Sequence, residues 1–406
     1  MLHRKTLLLI GITLLGCSLY PLPARAQSSQ EISTRVEYVF GEKIEFIGRM
    51  PAGTQVKSAL LFYQAQGEAQ TQSFKAEWDG RGQLTFTPDL NKTPVRAFSD
   101  VLYWFEVTLT DGQVIQSEKS TFYYEDNRFA WRMRTSQDFI VHWYEGEPEF
   151  AQSLLDVAEL GLKNIQTILP LEQKGKIDIY AYASAEEMRA TLQTLGKNWV
   201  GAHTDPDLGV MVVSLPHGPE QRLEMERQVP HELMHLLLYQ WLDLGYGSLP
   251  TWLNEGLASI AELYPNPDYL VLLDSALGKD DLLPIASLCQ SFPRDASSAY
   301  LAYAEATSFT RYLHQQYGSS GLEKLAKSYA DGLDCERGVQ TALGSTLTQL
   351  ERRWRRGVFG EDAALKAFAN LSPWLLLVLL LLIPLGLTIV SVRKRSSTQM
   401  AKVEDG

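Results

Sequence analysis

His231-Glu232-Leu233-Met234-His235 and Trp252-Leu253-Asn254-Glu255-Gly256-Leu257-Ala258 decide how this chain is read. The first has the form H-E-x-x-H. On a helix, residues four apart share a face one turn apart, so both imidazoles can hold one ion through neutral nitrogens. Glu232, beside the first histidine, can reach a water on that ion. Zinc hydrolysis needs this arrangement, because the ion polarises a carbonyl and acidifies water while the carboxylate takes the proton. With seven histidines in the chain, the pattern arises by chance in roughly one such sequence per hundred. Two helical histidines facing core or solvent are the bland alternative. Glu255, twenty residues after His235, decides between them. A carboxylate on a second helix packed against the first completes a His2Glu site and leaves one position for water. Trp252 and Leu253 pack at that helix's start, and Gly256 allows close helix approach. The alternative for Glu255 is an ordinary acid favoured by a helix dipole.

The motifs sit in a segment of mixed character from about Phe129. Residues 139–144 and 176–180 read as strands, and residues 209–213 as another. Residues 148–168 carry apolar side chains at helical spacing, and Ser184 caps a helix starting with Glu186 and Glu187. Helices follow at 223–241, 254–264, 300–317 and 322–329. Strands first and helices later predict an α+β domain. Before it, residues 30–128 look all-β. Residues 58–63, 103–109 and 121–124 are rich in aromatic and β-branched residues, and Asp79-Gly80, Gly82 and Asp111-Gly112 mark turns. An immunoglobulin-like or fibronectin-like sandwich fits this spacing. It holds no catalytic constellation, so a spacer or binding module is expected.

H-E-x-x-H followed by W-L-N-E-G-L-A closely resembles the gluzincin metallopeptidases. Tyr303-Ala304-Glu305-Ala306-Thr307-Ser308-Phe309, Tyr312-Leu313, Tyr317-Gly318 and the closing Leu350-Glu351-Arg352-Arg353-Trp354 are similar to the bacterial peptidase MA-like family. The resemblance spans roughly residues 130–358. It implies a zincin-like fold over 129–360, with substrate lying along an edge strand beside the metal helix, for which residues 209–213 are the candidate. It implies Zn2+ held by His231, His235 and Glu255, with Glu232 as general base. A donor for the oxyanion is also implied. Tyr303 is the candidate, a core-facing aromatic is its bland reading, and Tyr300 and His203 are alternatives. His142 and His314 read as structural or exposed.

Two positions depart from the pattern. Pro230 precedes His231, so either the helix starts there or an earlier turn is kinked. Some gluzincins place an acid four residues after the ligand Glu, behind a zinc histidine. Ser259 stands there in this chain, and Glu262 is the nearest acid.

The ends of the chain carry different signals. His3-Arg4-Lys5, the apolar residues 6–15 and Ala24-Arg25-Ala26 read as a secretory signal peptide over 1–26. Leu14-Leu15-Gly16-Cys17 also resembles a lipoprotein processing site. Residues 361–373 are a linker. Residues 374–392 carry no charge and nine leucines, long enough for a transmembrane helix. Arg393-Lys394-Arg395 open a cytoplasmic tail over 393–406. The body is expected outside a bacterial cytoplasmic membrane, crossed once. Without residues 1–26 and the tail from Arg393, the chain has 30 basic and 46 acidic residues, net -16, which excludes a nucleic-acid partner. Arg352, Arg353, Arg355 and Arg356 read as a solvated helix face. Cys289 and Cys335 form a disulfide or remain two isolated thiols.

The expected function is zinc-dependent peptide hydrolysis on peptide or protein substrates. The absence of a Gly-x-Met-Glu-Asn motif favours endopeptidase action. The alternatives are a non-catalytic surface binding protein on a degenerate scaffold, and an assembly factor with structural zinc. The presence of all three ligands and Glu232 opposes both. Oligomeric state and substrate are not legible in the sequence.

Overall fold

The structure is a computed structural model describing residues 31–194, 202–360, 371–378, 380 and 382–384, without the side chains of 193–194 and 202–203. The proposed signal peptide and cytoplasmic tail lie outside the described residues. So do most of the linker and part of the apolar segment 374–392. Among the described residues no helix is long and apolar enough to cross a membrane.

The N-terminal region is all antiparallel sheet. Its strands are β1 (Ser33–Val39), β2 (Lys43–Arg49), β3 (Val56–Ala65), β4 (Gln72–Trp78), β5 (Gln83–Phe86), β6 (Ser99–Leu109), β7 (Val114–Gln116) and β8 (Ser120–Tyr124). They run in the order β1-β2-β5-β4-β3-β6-β7, with β8 also on β6. β6 alternates buried and half-exposed residues along its length, the period-2 signature of a strand with one face inside. The sheet folds over on itself. Phe46 of β2 stacks on Tyr63 of β3 with ring centroids 5.4 Å apart and meets Tyr103 of β6 at 5.3 Å.

A second sheet follows, built from β9 (Arg132–Thr135), β10 (Phe139–Trp143), β11 (Ile177–Tyr182), β12 (Ala202–Asp205) and β13 (Val210–Ser214) in the order β12-β13-β11-β10-β9. β10, β11 and β13 are parallel, and the two outer strands are antiparallel to them. Helices α1 (Pro148–Ile168), α2 (Ala185–Thr194), α3 (Gln221–Leu242), α4 (Thr251–Ala261), α5 (Asp268–Lys279), α6 (Ala296–Ala330), α7 (Cys335–Leu343) and α8 (Leu347–Phe359) complete this part. The helices expected at 300–317 and 322–329 are one segment, α6, broken at Gly318 with φ 63°. On α8, Trp354 is fully buried while Arg352, Arg353 and Arg356 are exposed.

Both faces of the second sheet are covered. Ile177, Ile179, Ala181, Met211 and Val213 join the core beneath α1 and α3. Tyr180, Tyr182, Val210 and Val212 point the other way, into the core of the N-terminal β region together with Met188 and Leu192 of α2. Phe98 lies on Tyr180 at 4.5 Å. The contact is tied by Asp126, which is fully buried. It accepts from Arg128 Nε (2.7 Å) and Nη2 (2.6 Å), from Tyr182 Oη (2.9 Å) and from Thr191 Oγ1 (2.9 Å). A buried carboxylate persists only when paired and hydrogen-bonded in this way. The N-terminal region is therefore not a free spacer but the outer layer of the second sheet.

The sheet order corrects one expectation. The strand at 209–213 is β13, and it is not an edge. β12 pairs along its outer side, with His203 opposite Val212 and Asp205 opposite Val210. The residue run Ala202-His203-Thr204-Asp205 has little strand propensity, and its ladder with β13 supplies what propensity lacks. Among the described residues the edge beside the metal helix is β12.

Candidate metal centre

α3 carries the H-E-x-x-H stretch, anchored by the buried residues Val229, Leu233, Met234 and Leu237. Pro230 neither starts nor ends this helix, which begins nine residues earlier at Gln221. Without an N–H at Pro230, the Glu226 carbonyl four residues back loses its helical donor. It accepts instead from Leu263 N–H, at 2.9 Å. Leu263 follows Glu262, so the proline tethers the chain segment that places Glu262 behind the site. The proline ring lies against Gly161 of α1, where an added Cβ would come within 3.0 Å of Pro230 Cγ.

α4 brings Glu255 to the histidines. A Cβ on Gly256 would run into Thr310 Oγ1 and the Ala306 carbonyl of α6, so glycine sets a close α4–α6 approach. Tyr303 lies one turn before Ala306 on the same face of α6, which places its hydroxyl beside Glu255. The N-terminus of α4 is held by Thr251 N–H on the Cys289 carbonyl (2.9 Å) and by Trp252 Nε1–H on Cys335 Sγ (3.4 Å). Cys289 and Cys335 form a disulfide with Cα atoms 6.1 Å apart, which settles the two alternatives for these thiols.

His231, His235 and Glu255 each offer one ligand atom, and all these atoms lie within 4.8 Å of one another. His231 Nε2 is 3.5 Å from Glu255 Oε2, and His235 Nε2 is 3.7 Å from the same oxygen. Metal–ligand bonds of about 2.1 Å in tetrahedral geometry place ligand atoms about 3.4 Å apart, so the donor set fits zinc. The far nitrogens are also partnered. His231 Nδ1 donates to Glu262 Oε1 at 3.1 Å, and His235 Nδ1 donates to Asn254 Oδ1 at 3.2 Å. Ionised Glu262 and the Asn254 carbonyl only accept, so both Nε2 atoms are left as neutral donors toward the shared point. Tyr246, in a 3-10 turn at Asp243–Ser248, accepts from Asn254 Nδ2 at 3.2 Å and lies 3.4 Å from His235 Nδ1.

The imidazoles and carboxylates of the cluster also shift one another. Burial lowers the His231 pKa, yet hydrogen bonds to Glu255 and Glu262 and the nearby carboxylates carry it up to about 10. Burial raises Glu255, yet His235 and His231 bring it below the ordinary carboxylate value.

Glu232 lies beside this point, with its Oε2 accepting from Thr204 Oγ1 at 2.7 Å. Thr204 is on β12, so the edge strand touches the candidate base. These residues line a cavity of about 580 Å³ with Pro206, Arg227, Tyr246, Tyr269, Tyr300 and Tyr303. Burial and the carboxylates of Glu255 and Glu232 push Tyr303 well above the usual tyrosine range, which keeps its hydroxyl a hydrogen-bond donor. Tyr300 lines the same cavity, its hydroxyl accepting from Asn266 Nδ2 at 2.6 Å. His203 is on β12, one residue before Thr204. His142 is 5% exposed and bonded to Asp178 at 2.6 Å, the structural reading. His314 is part-buried on α6.

The acid expected at position 259 is replaced in space by Glu262, while Ser259 is buried with no partner for its hydroxyl among the described residues. Glu262 lies just past the end of α4, where the chain leaves helical geometry and helical spacing no longer places it. Asn254 adjoins Glu255 in sequence, so its approach to His235 follows from helix geometry. Thr204 and Tyr246 carry no such signal, since each lies outside the α-helices in a short element.

The fold and site are those of an H-E-x-x-H helix with a glutamate on a following helix, set against a mixed sheet. A family model described as the peptidase MA superfamily matches residues 158–360. The chain belongs to the peptidase MA superfamily. A comparison with curated proteins returns no match. Among solved structures, the Br derivative of BhCBM56 is similar over 23% of this chain and 92% of its own, at 10% identity and TM-score 0.19. A myokine is similar over 24% and 97%, at 8% identity and TM-score 0.20. Wild-type OgpA from Akkermansia muciniphila is similar over 23% and 28%, at 16% identity and TM-score 0.18. Structural likenesses at these scores carry no argument about function.

Proposed function

We propose that this chain is a membrane-anchored, extracytoplasmic zinc metallopeptidase acting as an endopeptidase. The observation that carries the reading is the convergence of His231, His235 and Glu255 on one point, with Glu232 beside it and unused as a ligand. A zinc ion there would supply a Lewis acid that polarises a scissile carbonyl and acidifies a water. His231, His235 and Glu255 would hold it, with Glu262 and Asn254 fixing the imidazole tautomers. Glu232 takes the proton from the attacking water and passes it to the leaving amine. Thr204 fixes one carboxylate oxygen of Glu232 and leaves the other for that proton. The Tyr303 hydroxyl donates to the oxygen on which negative charge develops.

An extended peptide would add to the free edge of β12. The signal peptide, the apolar segment 374–392 and the basic residues after it support anchoring with the body outside the cytoplasmic membrane. The N-terminal β region is assigned as an immunoglobulin-like or fibronectin-like sandwich. The test is cleavage of fluorescein-labelled casein by zinc-loaded protein beside Glu232→Gln. The reading expects loss of cleavage in the variant with zinc retained. Equal inertness of both zinc-bound proteins across casein and a broad peptide library would leave a binding protein.

A further inference from the structure

Among the described residues β12 pairs with β13 alone, so its outer edge is open there to an added strand. Its described part is the four residues Ala202–Asp205, and its far end turns through Pro206 and Gly209. Asp205 and Asp207 flank Pro206 at this turn, and two carboxylates so close repel each other.

Arg96, from the loop between β5 and β6, reaches across to both. Its guanidinium is bidentate on Asp205, with Nε 3.2 Å from Oδ2 and Nη2 on Oδ1, and the same Nη2 is 3.0 Å from Asp207 Oδ2. The pairing is partly buried, with side-chain exposures of 20% for Arg96 and 25% for Asp205, and planar bidentate pairs of this kind are the strong ones. Arg96 is itself braced. Its Nη1 donates to the Gln66 carbonyl at 3.1 Å, and its own carbonyl accepts from Ser99 Oγ at 2.7 Å. Two residues on, Phe98 holds φ 52° and rests on Tyr180. A non-glycine residue at positive φ persists only where its surroundings over-determine it.

Two short routes lead from this arginine to the metal site. Asp205 is next to Thr204, which holds Glu232. Asp207 lies beside Tyr239, whose hydroxyl helps to hold its carboxyl below the ordinary carboxylate value, one turn beyond His235 on α3. The Tyr239 ring packs edge-on against Tyr246 with centroids 5.7 Å apart, and Tyr246 lies beside His235.

We propose that Arg96 is a positioning residue: it fixes β12 and its turn from the N-terminal β region, and so makes that region part of the peptide-binding machinery. The proposal rests on the peptidase reading for its function, but not for its structural content. In its absence β12 loses its anchor, and Asp205 and Asp207 lose the guanidinium that pairs them. The loss should fall on peptide binding first, because the metal ligands sit on α3 and α4.

The test uses full-length zinc-loaded protein in detergent, as wild type, Arg96→Met, Arg96→Lys and Leu61→Ala. Leu61→Ala weakens the core of the β region without touching the contact. With labelled casein, Arg96→Met should lose at least tenfold in kcat/KM, mainly through a raised KM. Arg96→Lys should recover part of it, and Leu61→Ala should keep the wild-type KM when assayed below its Tm. Hydrogen exchange at residues 202–213 reads the anchor without any substrate and should rise at least tenfold in Arg96→Met. Unchanged exchange there overturns the proposal, as does an equal rise of KM in Leu61→Ala. Raised exchange in a protein whose wild type cleaves nothing would support the anchor and defeat the peptidase reading alone.

Discussion

Cutting the chain at residue 129 tests whether the N-terminal β region is a layer of the peptidase fold. A fragment of residues 129–360 would expose Tyr180, Tyr182, Val210 and Val212, which are 2% exposed or less in the intact chain. Full burial of such side chains contributes roughly 1.5–3 kcal/mol each, so the four together contribute on the order of 10 kcal/mol. That is an upper bound, because α2 still covers part of the face and unfolded chains bury some surface already. It nevertheless matches the whole net stability of a typical domain, about 5–15 kcal/mol. Asp126 would be lost as well, leaving Tyr182 and Thr191 without its carboxylate. The fragment is therefore expected to lack a cooperative thermal transition and to bind a hydrophobic dye, while a chain from residue 27 to 360 melts in one step. The assay is circular dichroism with temperature, with dye fluorescence alongside. A fragment that melts cooperatively within a few degrees of the longer chain would refute the shared core.

Three further outcomes are expected from the site and its supports. Glu262→Ala removes the acceptor for His231 Nδ1 and should weaken zinc binding by roughly 10–100-fold, read by competition with a chelator; affinity equal to wild type would remove Glu262 from the site. Replacing both Cys289 and Cys335 by serine opens a loop of 46 residues, and chain entropy sets the cost at about 4 kcal/mol; denaturant unfolding should show a loss of this order. Burial pushes the fully buried Glu305 carboxyl up to about 8. Its folded pKa lies above the unfolded value, so the folded state holds a proton that the unfolded state has released between about 4.5 and 8. Stability from this group therefore falls as pH rises through that window. Glu305→Gln should gain Tm relative to wild type between pH 5 and pH 8, and a difference that does not change with pH would contradict this placement.

Much of this architecture is legible in residue patterns, and the failures have physical causes. The stripe from Phe150 to Ile165 predicts α1 because its face is apolar at helical spacing. The metal ligands are legible because helix geometry converts sequence spacing directly into distance. β12 is hidden because alanine, histidine and aspartate are poor strand formers, and its partner is found through the fold rather than the local sequence. Pro230 reads as a helix start or a kink because local rules give the lost hydrogen bond no replacement; Leu263 provides one from another segment. The covering of β11 and β13 did leave a signal. Val210-Met211-Val212-Val213 is apolar without alternation, which marks a strand buried on both faces.

The central claim is a zinc-dependent hydrolytic site with Glu232 as base. Its most direct test is to strip metal from the full-length protein, add zinc in steps, and follow cleavage of labelled casein in wild type and Glu232→Gln. The account predicts that wild-type activity rises linearly and levels at one zinc per chain, while the variant binds the same equivalent and stays inactive. Cleavage that does not depend on zinc, or that survives in Glu232→Gln, would contradict it.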